Sequence, residues 1–555
     1  MSFKLKGFYI FKIIFISFII YLALASYDLG WLILSEKIHV KQLNTMRVPL
    51  HPLFGSLLLL LLLLNLLIIN LPILFIIISV PLIIINTLGI INYTINLSPL
   101  NPEIIYAIIN SNIYESYEYI EQYIVTITVV ISIQSFLYYL IIKNYYLIID
   151  FGKKIIYKFI STTLLIFSFS LVLSYHYLEI RNLNYPLSIV ESLRDLHKES
   201  SKNNKREKKI NEYPLDVTLN NNINTNIILV LGESSRKDHW GIYGYKNNTT
   251  PFLFKKDIIK YNNTISNATN TYRSVPLILS KALSTSFNDI NKVPSILSYY
   301  RKALYTTFYL NSGPRQNFRL DLSILDSYKY ESNEYFYAPY INNHIGTAYD
   351  NQLVNKLKQL IKQNKTSSNL FILQCSGSHL NYKNRYPKEF IKFTNSDINS
   401  INEYDNSILY TDYVLNNLIT FIDKSTKPSI LVYVSDHGEN LFDDRRQLGG
   451  HGGFATRYQL EVPLFFYPNK RYINTYSEKI KNIKKNKNIF FETQYLFHTL
   501  LDIGNINSPD LVEEYSLTSN YISLPKKHLI YDPTFSEKNI ISYQNVLKRD
   551  SLFLK

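Results

Sequence analysis

The chain has 555 residues, more than one small core can use and enough for two or three domains. Lys and Arg number 58 against 43 Asp and Glu, a formal net charge of +15, but no zinc-finger spacing or RNA-binding aromatic signature accompanies that balance, so no nucleic-acid partner is expected. The single cysteine, Cys375, excludes an intramolecular disulfide.

Five apolar segments are long enough, or nearly so, to cross a bilayer: roughly 8–24, 53–69, 71–91, 123–142 and 160–178. They predict an all-α, five-helix transmembrane domain over residues 1–180. Lys4, Lys6 and Lys12 accompany the first segment, and Lys143, Lys153, Lys154 and Lys158 flank the fourth and fifth. The loop 92–122 carries Glu103, Glu115, Glu118 and Glu121 but no Lys or Arg. Positive charge marks the cytoplasmic side, so everything after about residue 180 is expected outside the cytoplasm. Residues 181–222 read as a linker. Its basic run, 197–211, is expected to be solvated, although it is also placed to meet anionic head groups.

Residues 223–555 alternate β-rich apolar runs with helical patterns, which predicts an α/β domain around a mostly parallel sheet. The run from Asn226 leads into Glu233, and the run from Leu304 leads toward Arg315. The run from Leu370 leads into His379, and the run from Ile430 leads into Asp436 and His437. Ligands of open α/β sheets bind beyond the carboxyl ends of strands, so these residues are expected at one edge. Asp, Glu and His are the ligands zinc accepts. His451, between Gly450 and Gly452, is free to approach a metal or a phosphate. A nucleophile is expected before the helix that follows Asn267, with Ser274 as its N-cap and Pro276 in its first turn. Thr269 and Thr271 both stand there, and the residues alone do not choose between them.

GESSRKDHWGIYGYKNNTTPFL (232–253), TNTYRSVP (269–276), GSHLNYKNRYP (377–387), YDNSILYTDY (404–413), SDHGE (435–439) and GGHGG (449–453) together resemble the phosphoethanolamine transferases of Gram-negative envelopes. Those enzymes belong to the sulfatase and alkaline-phosphatase superfamily. The resemblance implies a multi-pass inner-membrane protein, expected as a monomer, with a periplasmic sulfatase-like catalytic domain. It implies transfer of phosphoethanolamine from the membrane lipid phosphatidylethanolamine to a lipopolysaccharide or lipid A acceptor through a covalent intermediate on Thr271. It places zinc ligands at Glu233, Thr271, Asp436 and His437. His379 and His451 become a second-metal or phosphate pair, and Arg315 a phosphate contact where the family often has lysine. Ser111, Asn112 and Glu115 become head-group contacts, with Ala107 standing where the family has asparagine. The wording of 242–245 and 377–387, and the missing disulfides, resemble members that modify the lipopolysaccharide core more than those that modify lipid A. The rival is a glycerophosphate transferase of the lipoteichoic-acid-synthase type, which would take manganese in place of zinc.

Overall fold

The computed structural model describes residues 72–96, 104, 105, 108, 113–143, 206–221, 223–313, 324–340, 348–364, 367–395, 399–453, 455–532 and 540–554. The chain divides into two compact units, residues 1–105 with 120–195, and residues 106–119 with 196–555.

In the first unit, helix α1 (Pro72–Asn96) is described throughout, and helix α2 (Ile113–Lys143), kinked at Tyr123, belongs to it from Ile120 onward. Ile73–Asn92 and Ser116–Leu140 are long and apolar enough to cross a membrane. Ile73, Ile77 and Val125 are exposed, an arrangement that suits a lipid solvent and not water. These helices cover the third and fourth expected segments; the other three lie outside the described residues.

The second unit is built on seven strands. They are β1 (Asn226–Gly232), β2 (Ile259–Tyr261), β3 (Thr306–Asn311), β4 (Glu334–Tyr337), β5 (Asn369–Gln374), β6 (Ser429–Ser435) and β7 (Leu464–Pro468). Their order across the sheet is β2-β7-β6-β1-β5-β3-β4. β6, β1, β5, β3 and β4 run parallel, while β7 is antiparallel to both its neighbours. Helices α3 (Thr271–Leu279), α4 (Ile296–Lys302), α5 (Asn351–Gln363), α6 (Asn399–Asp423) and α7 (Leu496–Ile503) cover its faces.

Alternation along β1 explains the two cores. Ile227, Leu229 and Leu231 pack with α3, α4 and α7, whereas Ile228 and Val230 pack with α5 and α6. Burial on both faces accounts for the unbroken apolar runs of the sequence, each large side chain contributing roughly 1.5–3 kcal/mol. Register aligns the strand ends: Leu231 pairs with Gln374 and Val434, and Gln374 pairs with Asn311. The residues that follow therefore emerge side by side.

The basic run is not wholly solvated. Arg206 is buried and donates to Glu331 at 2.5 Å, to Ser327 at 2.7 Å and to the carbonyls of Ile290 and Val293. A buried carboxylate on a distant segment overrides the local preference for water. Beyond residue 505, Leu529–Tyr531 and Ile540–Ser542 pair antiparallel. Asp532 and Asp550 accept the backbone N–H groups of Ala455 and Arg457, just beyond the glycine-rich loop of His451.

Candidate active site

Glu233 follows β1 directly, and the turn there is tight. Ser234 adopts a left-handed conformation (φ 55°), unusual for a residue with a side chain. Three bonds hold it: its N–H donates to Asp436 Oδ1 at 3.2 Å, its carbonyl accepts from Tyr404 at 2.6 Å, and its hydroxyl donates to Glu233 Oε1 at 2.8 Å. The loop after β5 crosses close above. A Cβ on Gly377, whose φ is +49°, would lie 2.7 Å from the Glu233 nitrogen. Asp350 fixes that loop by accepting from Ser312 Oγ and from the N–H groups of Ser376 and Gly377.

Helix α3 begins earlier than the sequence suggests. Asn270 is the N-cap, and its side chain accepts from the Arg273 N–H at 3.1 Å. Ser274 lies inside the first turn, where its hydroxyl donates back to the Asn270 carbonyl at 2.9 Å. Asn caps as well as Ser does, and an interior Ser satisfies itself on the residue four before it. Pro276 falls in the second turn. Thr271 is thereby the first helical residue, at an end that favours negative charge. Its Oγ1 donates to Glu233 Oε2 at 2.8 Å and stands 3.3 Å from His437 Nε2. Thr269 precedes the helix, and its carbonyl accepts from the Gly452 N–H at 3.1 Å.

Asp436 and His437 follow β6, both buried. His437 Nε2 lies 3.4 Å from Glu233 Oε1 and 3.5 Å from Asp436 Oδ2. Its Nδ1 is 2.8 Å from the Gly438 carbonyl, which can only accept, so in the neutral ring the proton sits on Nδ1 and Nε2 is left to ligate. Burial and the Glu233 charge push Asp436 up to about 7. Burial lowers His437, but the Asp436 and Glu233 charges outweigh it and raise the ring to about 10. Burial also raises Glu233, yet the His437 hydrogen bond and the neighbouring histidines hold it well below the usual carboxylate range. Two carboxylates and an imidazole, packed out of water with ligand atoms within 4.8 Å of one another, are a donor set that a divalent cation would neutralise.

His379 and His451 complete the cluster, their ring centroids 5.4 Å apart, with His437 and His451 at 4.5 Å. Ligand atoms of Glu233, His379 and His451 also lie within 4.8 Å of one another. Burial pushes His379 down to about 3 against the Glu233 charge, with Arg385 adding to the fall. His451 Nδ1 is 2.8 Å from Glu439 Oε2, and Tyr382 donates to the other Glu439 oxygen at 2.9 Å. Six residues singled out from sequence thus meet: Glu233, Thr271, His379, Asp436, His437 and His451. Ser111, Asn112, Arg315 and the Glu115 side chain lie outside the described residues.

Sequence reasoning missed Glu439, Ser234, Asp350 and Tyr404. Glu439 stands within the SDHGE motif, so proximity in the chain could have flagged it. Asp350 carried no signal, because its partners come from two other strand ends.

A family model described as Sulfatase matches residues 225–506. The phosphoethanolamine transferase EptA of Helicobacter pylori is 29% identical over 317 residues, covering 55% of this chain. The match spans 58% of that relative's length. Among solved structures, the integral membrane lipooligosaccharide phosphoethanolamine transferase A of Neisseria meningitidis superposes with a TM-score of 0.64 at 19% identity, over 90% of this chain and 97% of that one. The periplasmic domain of Escherichia coli EptC, in complex with zinc, gives a TM-score of 0.55 at 22% identity, over 61% of this chain and 98% of that one. At these identities the likeness is one of fold.

Proposed function

This chain belongs to the sulfatase family, and from that premise we propose that it transfers phosphoethanolamine from phosphatidylethanolamine to an envelope glycolipid. The observation that carries the reading is Thr271 Oγ1, held at a helix N-terminus 2.8 Å from Glu233 and 3.3 Å from His437. Glu233, Thr271, Asp436 and His437 would hold a zinc ion. When bound, the ion supplies positive charge that acidifies the threonine hydroxyl and offsets charge on the phosphoryl oxygens.

Thr271 Oγ1 attacks the phosphorus. The bond to diacylglycerol breaks, diacylglycerol leaves with the proton, and phosphoethanolamine remains esterified to Thr271. The acceptor hydroxyl or phosphate then forms its bond to phosphorus and returns the proton to Thr271. His379 and His451 face the position of the phosphoryl group, while Arg315 adds a further positive charge. The first turn of α3 offers N–H groups to the same anion.

The donor is a lipid, which suits a catalytic unit carried by apolar helices such as α1 and α2. The full reading has five crossings, the catalytic domain in the periplasm, and Ser111, Asn112 and Glu115 at the lipid head group. The transferase names of the Helicobacter and Neisseria relatives support the group transferred, and the lipooligosaccharide of the latter supports a glycolipid acceptor. Mass spectrometry of envelope glycolipids, with and without the chain, tests this. Phosphoethanolamine that appears with the wild type and is absent with Thr271→Ala is the expected result. A glycerophosphate adduct trapped on the threonine would overturn it.

A further inference from the structure

His451 rides on a loop with little structure of its own. Its neighbours Gly450 and Gly452 both have φ of +81°, a conformation open to glycine and strained for other residues. The local ladder is short, with Asn440–Leu441 antiparallel to Gly449–Gly450. Glycine loses more backbone freedom on ordering than any other residue, so such a loop needs support from outside itself.

That support comes from helix α8 (Tyr543–Ser551), beyond the 225–506 stretch that the family model matches. Asp550, in its last turn, accepts from Arg446 Nη1 at 2.8 Å and from the Arg457 N–H at 2.7 Å. One buried carboxylate thus joins the two ends of the loop, at positions eleven residues apart. An acid at the carbonyl end of a helix opposes the helix dipole, so Asp550 is compensated by the loop and not by its own helix. Neighbouring contacts repeat the grip. The Arg445 N–H donates to the Phe553 carbonyl at 3.1 Å, and the Arg446 guanidinium lies 4.8 Å from the Phe553 ring. Arg549 donates to the Ala455 carbonyl.

Helix α8 does not depend on Asp550 for its place. Tyr543 and Val546 pack with Ile265, Ala455 and Leu460 in a cluster separate from the two sheet cores. Arg446 also keeps Asp444, to which its Nε donates at 3.0 Å. Removal of the Asp550 carboxylate therefore strands no buried cation.

We propose that Asp550 is a positioning residue for His451: its carboxylate clamps both ends of the glycine-rich loop and so holds the imidazole beside Glu233 and His437. This rests on the phosphoryl-transfer reading of the site. It makes a helix outside the matched family region part of the working site.

The test uses the full-length, zinc-loaded protein in detergent. Amide exchange is followed by mass spectrometry in peptides covering 447–453 and β6, for wild type, Asp550→Ala and, as a control on the same helix, exposed Lys548→Ala. Asp550→Ala is expected to speed exchange in 447–453 by roughly tenfold or more, as for loss of a hydrogen bond to a charged group. β6 should keep its wild-type protection, and Lys548→Ala should change neither peptide. Transfer rates are then compared for Asp550→Ala, His451→Ala and the double variant. Asp550→Ala should be slower than wild type, and the double variant no slower than His451→Ala, because a residue that acts only through His451 has nothing left to position. Should Asp550→Ala fail to fold, Asp550→Asn, which keeps an acceptor for the Arg457 N–H, carries the same comparison. Unchanged exchange in the loop, loss of β6 protection together with it in the folded variant, or multiplicative losses in the double variant would each overturn the proposal. Absence of phosphoethanolamine transfer by the wild type would instead remove the reading of the reaction, while the exchange results would still decide the clamp.

Discussion

Thr271 Oγ1 donates to Glu233 Oε2 at 2.8 Å, joining the first residue of α3 to the residue that follows β1. Each side chain is oriented by elements far away in sequence, so the hydroxyl is aimed before any substrate arrives. Thr271→Ala is expected to reduce transfer by about a thousandfold or more, as for loss of a nucleophile. Thr269→Ala should stay within roughly tenfold, because Thr269 touches the site loop through its carbonyl. Glycolipid mass spectrometry against a time course distinguishes the two.

Glu439 accepts from Tyr382 and faces His451, so its loss would free the imidazole to rotate. Glu439→Gln is expected to weaken second-metal or phosphate binding at His451, and transfer with it, by roughly 10–100-fold, the size of effect seen when the carboxylate behind a functional imidazole is removed. Competition against a chelator reads the affinity directly.

Metal binding should depend steeply on pH. Zinc needs His437 neutral and Asp436 ionised, and these groups are raised to about 10 and about 7. Apparent zinc affinity should therefore rise from pH 7 to pH 9, by about tenfold per unit for one proton released. The metal-free fold runs the other way. A histidine raised in the folded state contributes stability that is complete below its unfolded value and is lost as pH climbs toward the folded one, near 10. Thermal melts with and without zinc should diverge as pH increases, and parallel curves would contradict the proton accounting.

Gly377→Ala should disturb Glu233 directly. The new methyl carbon would sit 2.7 Å from a backbone nitrogen at a φ that disfavours side chains. A cost of about 1–3 kcal/mol is expected, as for overpacking, together with weaker zinc binding. Denaturant midpoints measure the first and metal titration the second.

Arg206 tests whether the basic run docks on the catalytic unit. Arg206→Met leaves the Glu331 carboxylate buried without its cation, which should cost about 3–5 kcal/mol. Substitution of exposed Lys208 should cost almost nothing, since its pair with Glu212 is solvated. Equal effects would argue that the whole run is loosely held.

Sequence alone determined the apolar helices α1 and α2, the buried parallel strands and the polar residues at their carboxyl ends, because length, periodicity and strand termination are local properties. It brought Glu233, Asp436 and His437 into view for the same reason. It misjudged Ser274 as a cap, because Asn270 competes for the same role and only the folded helix shows which one wins. Taken residue by residue it left Thr269 and Thr271 equal, because neither position reveals which way a side chain points, and only the family resemblance favoured Thr271. Only the tertiary structure shows Thr271 beside Glu233 and His437, which the register of β1 and β6 and the start of α3 bring together across separations of 38 and 166 residues. It alone paired Arg206 with Glu331 and Glu118 with Arg385. Buried charges must find partners somewhere in the fold, and no local pattern in the chain says where.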